Sequence, residues 1–548
     1  MALRLRRSIR DLEDDYDRGN KKPLEDLIRA WRGIQAQPAD DPNSAFPPKS
    51  FFTIAGYHRE PFRGAGWGNS QWWGGYCNHG NVLFPTWHRA YLLTLENALR
   101  SVPGCENVTL PYWDEVDQRT KETGLPRTFL QKTFVLDGNP VSNPLYSYTF
   151  QYDIFDNLAP IPDFDYSKPE GYTTVRYPYS GLVGTPDDKA KTEVHNKTYK
   201  DMPEAKVNQI LNENVQNWLG FGIKLNTGEY LYTGTREKYY ACLNAPNYTV
   251  FSNTTSATQW NEDHFGVKKW QEAGSPTPAT QAVVPLESPH NDMHLAIGGF
   301  DLPVSPTRPG QPEQSFDAIA DANGDVGEND TASFDPIFYF HHCFIDRMFW
   351  LWQNRTQKTE SLDIIHGYPG TNTVDNQGPT PGVPANTWLT MDSPLNPFFK
   401  DDRPVTSNDV INIETQLNYT YPRLSESDPL HPSEPLLGSP PASSPPTLRV
   451  SGINRGAISG SFVLSIYATL EGQTRLMGVE SVLSRWHTSG CANCQTHLNV
   501  KTFVPLHGLT LEEAEKADFD VGRLTRGLVQ LPERPPVTHL GQMVRRMS

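Results

Sequence analysis

His79-Gly-Asn-Val-Leu-Phe-Pro-Thr-Trp-His88-Arg-Ala-Tyr-Leu-Leu-Thr-Leu-Glu96 is the stretch that decides how this chain is read. Pro85 suits the first turn of a helix. His88, Leu92, Leu95 and Leu99 then recur at helical spacing until Pro103-Gly104 ends the run, so His88 shares the apolar stripe. His79 lies before that helix, in a loop that follows Gly74-Gly75-Tyr76-Cys77, where small residues let the backbone bend close to whatever the imidazole touches. Taken alone, His88 reads as a core histidine hydrogen-bonded to a carbonyl. Other histidines change that reading.

Downstream, His290-Asn-Asp-Met-His294 places two imidazoles one turn apart on a helix expected over 289–296, close enough to share an ion. A second helix, expected over 335–353, carries His341-His342 among Phe338, Phe340, Phe344 and Phe349, and burying adjacent imidazoles in such company is costly without partners. Neighbouring side chains on a helix point roughly a hundred degrees apart, so one of the pair can reach a centre shared with His290 and His294 while the other packs beside it. Asp346 and Arg347 are expected to brace that centre. With His58, from an aromatic and glycine-rich stretch read as loop, six candidate ligands fall into two triplets: His58, His79, His88 and His290, His294, His342. Hydrolytic two-metal sites usually include carboxylates and structural zinc sites are rich in thiolates. Three imidazoles per ion suit copper, with zinc, iron and nickel also compatible.

Composition narrows the partners. The 548 residues are 37% hydrophobic and carry a formal net charge of −15, so nucleic acid and anionic membrane surfaces, which need basic stripes, are poor partners. A small neutral or cationic molecule fits better. No run reaches membrane-spanning length, and the first residues lack the apolar core of a secretory signal, which leads to the expectation of a cytoplasmic protein. Six cysteines in a chain this long do not make a disulfide scaffold.

Along the chain, residues 8–35 suit one or two amphipathic helices, and 207–218 another. Beyond Tyr421 the composition turns to Pro and Ser, through Ser439-Pro-Pro-Ala-Ser-Ser-Pro-Pro446, an extended linker. Strand-like runs follow, such as Phe462-Val-Leu-Ser-Ile-Tyr-Ala-Thr-Leu470. The expected organisation is a mainly α catalytic domain with a four-helix-bundle metal core over 1–424, a linker over 425–447, and a smaller β-rich, sandwich-like domain over 448–548.

His79-x4-Phe84-Pro-Thr-Trp-His88-Arg-x2-Leu-x3-Glu96 and Asp335-Pro-x-Phe-x3-His342-x3-Asp346 resemble the two copper signatures of tyrosinases, and the chain around them is similar to the fungal, Aspergillus-type members from end to end. The resemblance implies a type 3 site with two copper ions and dioxygen as co-substrate. It further implies o-hydroxylation of monophenols such as tyrosine and oxidation of catechols to o-quinones. In that pattern His58, His79 and His88 hold one copper, His290, His294 and His342 the other, and His341 is a neighbour. Cys77 is similar to the cysteine that forms a thioether with the histidine two residues on, here His79. Glu287 and Asn291 resemble the pair that holds a proton-accepting water, and Tyr419-x-Tyr421 the motif that closes the catalytic domain. Related proenzymes cover the copper cleft with the last domain until an activating protease cuts the linker, which makes Val482 or Leu483 the candidate plug. Cys491-Ala-Asn-Cys494 resembles a copper-delivery motif, although a zinc site with His487 and His497 or an ordinary disulfide also suits it. Catechol oxidase and, more remotely, a hemocyanin-like carrier share the six histidines, and a homo-oligomer is compatible with all three.

Overall fold

The computed structural model describes residues 3–40, 47–58, 76–154, 167–224, 228, 230–265, 282–300, 302, 321–372, 387–424, 430, 445–486, 488, 497–525 and 544–547. Four helices carry the histidines: α1 (Phe51–His58), α2 (Phe84–Arg100), α3 (Glu287–Gly298) and α4 (Ile337–Thr356). α2 starts as expected at Phe84 with proline in its first turn, because Pro85 there loses no hydrogen bond. Thirteen further helices or turns of helix surround these four among the described residues between 9 and 409, joined by long irregular connections and two-stranded ribbons.

The stretch read as a loop around His58 is instead a helix, α1, ending on that histidine. Phe51, Phe52, Thr53, Ile54, Ala55, Gly56 and His58 are all buried, so this helix is apolar on every side and shows no amphipathic period for a sequence reading to detect. α4 is buried along almost its whole length, from Ile337 to Gln353, and packs on α2 and α3. The opening helices, Ile9–Asp17 and Lys22–Ala36, bury Leu24, Leu27, Ile28, Trp31 and Ile34, and Trp31 stacks on Phe340 of α4 at 5.8 Å. The short strand Tyr419–Thr420 closes this region by pairing in parallel with Arg4–Leu5.

Residues from Thr447 onward form six strands: β1 (Thr447–Asn454), β2 (Phe462–Leu470), β3 (Gln473–Val482), β4 (Asn499–Pro505), β5 (Asp518–Thr525) and β6 (Val544–Met547). They make two three-stranded antiparallel sheets, ordered β3-β2-β5 and β4-β1-β6. β2 is buried on both faces over Phe462, Val463, Leu464, Ser465 and Ile466, and β3 buries Met477, Gly478, Ser481 and Val482. Of the expected linker, only Leu430 and residues 445–447 lie among the described residues. No helix among the described residues is long and apolar enough to cross a membrane.

Candidate metal centre

α3 sets His290 and His294 one turn apart, and α4 brings His342 across to them. Their Nε2 atoms stand 3.2 Å (His290 to His342), 3.1 Å (His290 to His294) and 3.3 Å (His294 to His342) apart. Three nitrogens each about 2.0–2.1 Å from one tetrahedral ion stand about 3.3 Å from one another. The other face of two rings is already fixed. His294 Nδ1 donates to the Val326 carbonyl at 2.7 Å and His290 Nδ1 to Asn291 Oδ1 at 2.9 Å, which leaves each Nε2 as a lone-pair donor aimed at the common centre.

His58, His79 and His88 form the second group. Their ring centroids lie 5.3 Å (His58 to His79), 5.7 Å (His58 to His88) and 5.1 Å (His79 to His88) apart. A ring bonded through one nitrogen has its centroid about 3 Å from the ion, so three such rings stand about 5 Å apart. His88 Nδ1 donates to the Phe84 carbonyl at 2.8 Å, one turn back, and its Nε2 is buried with no hydrogen-bond partner among the described residues. Both nitrogens of His79 are likewise buried and unpartnered there. His88 and His342 stack at 4.6 Å, so the groups form one continuous cluster of imidazoles. Donor type, spacing and orphaned nitrogens all fit a pair of adjacent metal ions.

Every one of these rings that shows a shift is neutral near pH 7. Burial pushes His88, His294 and His341 down to about 3 and His79, His290 and His342 well below the ordinary histidine range, with neighbouring imidazoles adding to the effect for most of them. A neutral imidazole is the form that binds a metal.

His341 offers a nitrogen within 4.8 Å of those of His290, His294 and His342, but its Nδ1 bonds Glu115 Oε1 at 2.6 Å. Glu115 in turn accepts from the Tyr239 hydroxyl, and burial raises its carboxyl well above the usual range. This buried Tyr239–Glu115–His341 chain is invisible in sequence, since the partners lie 226 residues apart.

The expectation for Asp346 and Arg347 needs correction. Asp346 touches no imidazole of the centre. Its Oδ1 holds Arg89 Nε at 2.6 Å, and its Oδ2 accepts from Tyr419 and Tyr421 at 2.6 Å and from Arg6 at 3.4 Å. Burial alone would raise Asp346, but Arg89 and Arg6 hold it below the usual carboxylate range. Asp346 therefore ties α2, α4, the N-terminus and the closing tyrosines together, while Arg347 pairs with Asp114 and lies over Tyr112. The spacing that suggested a ligand brace marks a fold brace.

Glu287 opens α3 and is 2% exposed. Its Oε1 accepts from the Gly80 amide at 2.7 Å, and its Oε2 from the Thr254 amide at 2.8 Å and the Thr254 hydroxyl at 2.9 Å. Glu287 and Asn291 line a small cavity together with Cys77, His79, Thr254 and Asn329. The remaining wall comes from the turns that border β1, β3 and β4: Arg455, Leu483, Ser484, Arg485 and His497. Arg485 Nη2 lies 3.5 Å from Cys77 Sγ, which is itself within 4.8 Å of nitrogens of His58 and His79. Val482, by contrast, pairs with Phe462 inside the sheet and does not line the cavity. Ser481 and Glu480 of β3 meet Asp292 and Lys238, and Arg449 and Lys501 pair with Glu262, so the same strands are clasped at several points. Cys491 and Cys494 lie outside the described residues.

Comparison with known proteins agrees with this geometry. Residues 48–355 match the family described as the common central domain of tyrosinase. A tyrosinase of Aspergillus oryzae is 51% identical over 519 residues, covering 93% of this chain and 90% of that one. Among solved structures, the tyrosinase of Burkholderia thailandensis superimposes with a TM-score of 0.78 at 43% identity over 99% of both chains. A variant of Aspergillus oryzae pro-tyrosinase shares the fold, with a TM-score of 0.59 at 17% identity, covering 96% of this chain and 91% of that one. The chain belongs to the tyrosinase family, the copper-dependent monophenol monooxygenases and o-diphenol oxidases that carry two copper ions and act on phenols with dioxygen.

Proposed function

We propose that His58, His79 and His88 hold one copper and His290, His294 and His342 the other, with the four helices that carry most of them acting as the bundle of the centre. The observation that carries this assignment is the set of three Nε2 atoms 3.1–3.3 Å apart, each turned inward. When bound, the copper pair supplies the reduction of dioxygen that is coupled to oxidation of the phenol. The chain's own residues bind and orient the substrate, exclude water and move its proton. A phenol is protonated near pH 7 and must lose that proton to bind as phenolate. Glu287 is placed to receive it through one water. Its Oε1 already accepts from Gly80 but keeps a second acceptor site, and Asn291, whose Oδ1 is taken by His290, has its amide N–H groups left to hold that water. Burial raises the Glu287 carboxyl, which brings its proton affinity nearer to neutral pH.

The full chain in this reading is a latent form. Leu483, 8% exposed and next to the end of β3, stands where an incoming phenol would stack, and the two sheets form a sandwich-like cover held by the Lys238–Glu480 and Arg449–Glu262 pairs. Proteolysis in the Pro/Ser linker frees the cleft. Cys77 is placed to crosslink to His79, which would fix a ring with no hydrogen bond among the described residues. Metal analysis with oxygen uptake on tyrosine and on a catechol, before and after limited proteolysis, tests the reading. It expects about two coppers per chain and uptake on both substrates only after cleavage. Copper without uptake after cleavage would make the protein a carrier, and uptake on the catechol alone a catechol oxidase.

A further inference from the structure

Glu287 caps a helix it does not belong to. The helix Thr254–Phe265 begins with its first amide pointing at Glu287 Oε2, and the Thr254 hydroxyl donates to the same oxygen. A helix N-terminus offers unsatisfied N–H groups and a partial positive charge, and a buried carboxylate placed there is favoured in its ionised form. The preceding residue Asn253 is occupied elsewhere, its Oδ1 accepting from the Ser256 amide, so Thr254 contributes both of the donors that this helix gives to Glu287.

From this geometry we infer that Thr254 is a positioning residue for phenol oxidation, holding the Glu287 carboxylate in the orientation and charge state in which it can take the substrate's proton. The inference rests on the assignment of Glu287 as proton acceptor. Two opposing demands meet at Glu287. Burial favours the protonated carboxyl, and the Thr254 amide, the Gly80 amide and the Thr254 hydroxyl push back. Arg455, just past β1, is the charged group that acts on Glu287, and Arg485 and His497 stand on the same cavity wall; all three leave the cleft if that cover is removed, whereas His79 and His290 nearby are neutral. In the uncovered enzyme the two donors of Thr254 and the single amide of Gly80 therefore carry the task. The Thr254 hydroxyl is the one of the three that a side-chain substitution can remove.

Thr254→Val keeps the shape and the amide but deletes the hydroxyl. A hydrogen bond to a charged group is worth enough to move a carboxyl by about one pH unit. In protease-treated, copper-loaded enzyme, the acid limb of kcat for a monophenol is expected to move up by about that amount, with KM nearly unchanged, and Thr254→Ser is expected to restore the limb. Glu287→Gln serves as the control for the underlying assignment. If Glu287→Gln leaves monophenol oxidation intact, the assignment of the acceptor fails, and this inference with it. If Glu287→Gln abolishes the activity while Thr254→Val, with full copper, keeps the parental pH profile, or loses rate equally at every pH, only the role of Thr254 is overturned. Should Thr254→Val fail to load copper, the Thr254→Ser and Thr254→Ala pair decides: Ser with the parental limb and Ala with a displaced one supports the role, and two identical limbs overturn it.

Discussion

The two halves of the metal centre are built differently. His290, His294 and His342 sit on two long buried helices, with ring orientations set by Asn291 and the Val326 carbonyl and nitrogens at ligating distance from a common centre. His58, His79 and His88 come from the end of a short helix, a loop and the first turns of α2. Within this half His88 has its Nδ1 fixed by the Phe84 carbonyl, and His79 has no hydrogen bond among the described residues. The second half is preorganised by secondary structure. The first is completed by its surroundings: Cys77 beside it, and Arg485 and His497 from the turns that border β3 and β4 lying over Cys77 and Gly80. Gly80 has a φ of +67°, and a Cβ there would collide with the His497 ring at 2.6 Å, so the turn after His79 admits the cover only as glycine. Order in a metal site thus comes either from helices or from what packs on top.

Deleting a ligand from either half should have the largest effect and treat both alike. His294→Ala and His88→Ala are each expected to retain about one copper per chain and to lose phenol oxidation by more than about a thousandfold, read by metal analysis and oxygen uptake. Retention of both coppers in either variant would break the assignment. The asymmetry appears at the next level. Cys77→Ser removes the brace of the first half, and loss of an outer partner costs roughly ten- to a hundredfold in metal affinity. Copper should therefore leave one site under mild chelation while the other holds, and the native chain should weigh two hydrogens less than its sequence requires. Equal loss from both sites, or an unmodified mass, would remove the distinction.

Acid should act on both halves in the same sense. In metal-stripped protein, His88, His294 and His341 titrate near 3 in the folded chain against about 6.5 when unfolded, so the unfolded state binds protons first as the pH falls. Their contribution to stability is complete above about pH 6.5 and drains away between there and about pH 3, by up to about 1.4 kcal/mol per pH unit for each imidazole. Urea midpoints of the stripped protein should fall across this window, and a flat profile between about pH 6.5 and 4 would contradict the burial argument. The smallest effect is expected at the clasp. Glu480→Gln weakens one contact of β3 with Lys238 while leaving Ser481 on Asp292, so cleavage of the linker should speed up only a few-fold.

The second half was also the more legible in sequence. A histidine pair one turn apart and a double histidine in an aromatic helix carry their geometry in their spacing, whereas in the first half Pro85 announced the start of α2 and little else was local. His58 was found as a ligand candidate but not as the end of a helix, because α1 is apolar on all sides and has no polar face to set a period. Glu115, Thr254 and Gly80 were missed for a different reason. Their partners, His341 and Glu287, lie 226, 33 and 207 residues away, and no local pattern marks a contact made only by folding. Leu483 was named as a candidate together with Val482, and the strand register separates them: Val482 pairs inside the sheet, whereas Leu483, one residue past the strand, meets the cavity. Asp346 shows the converse error, since a residue at suggestive spacing from His342 serves the fold through Arg6, Arg89, Tyr419 and Tyr421.

Anomalous diffraction at the copper absorption edge from crystals of the copper-loaded full-length chain tests the central claim most directly. The account predicts two neighbouring peaks, one about 2 Å from Nε2 of His290, His294 and His342 and the other about 2 Å from nitrogens of His58, His79 and His88. A single peak, or a pair in which either ion takes its ligands from outside its own three histidines, would contradict it.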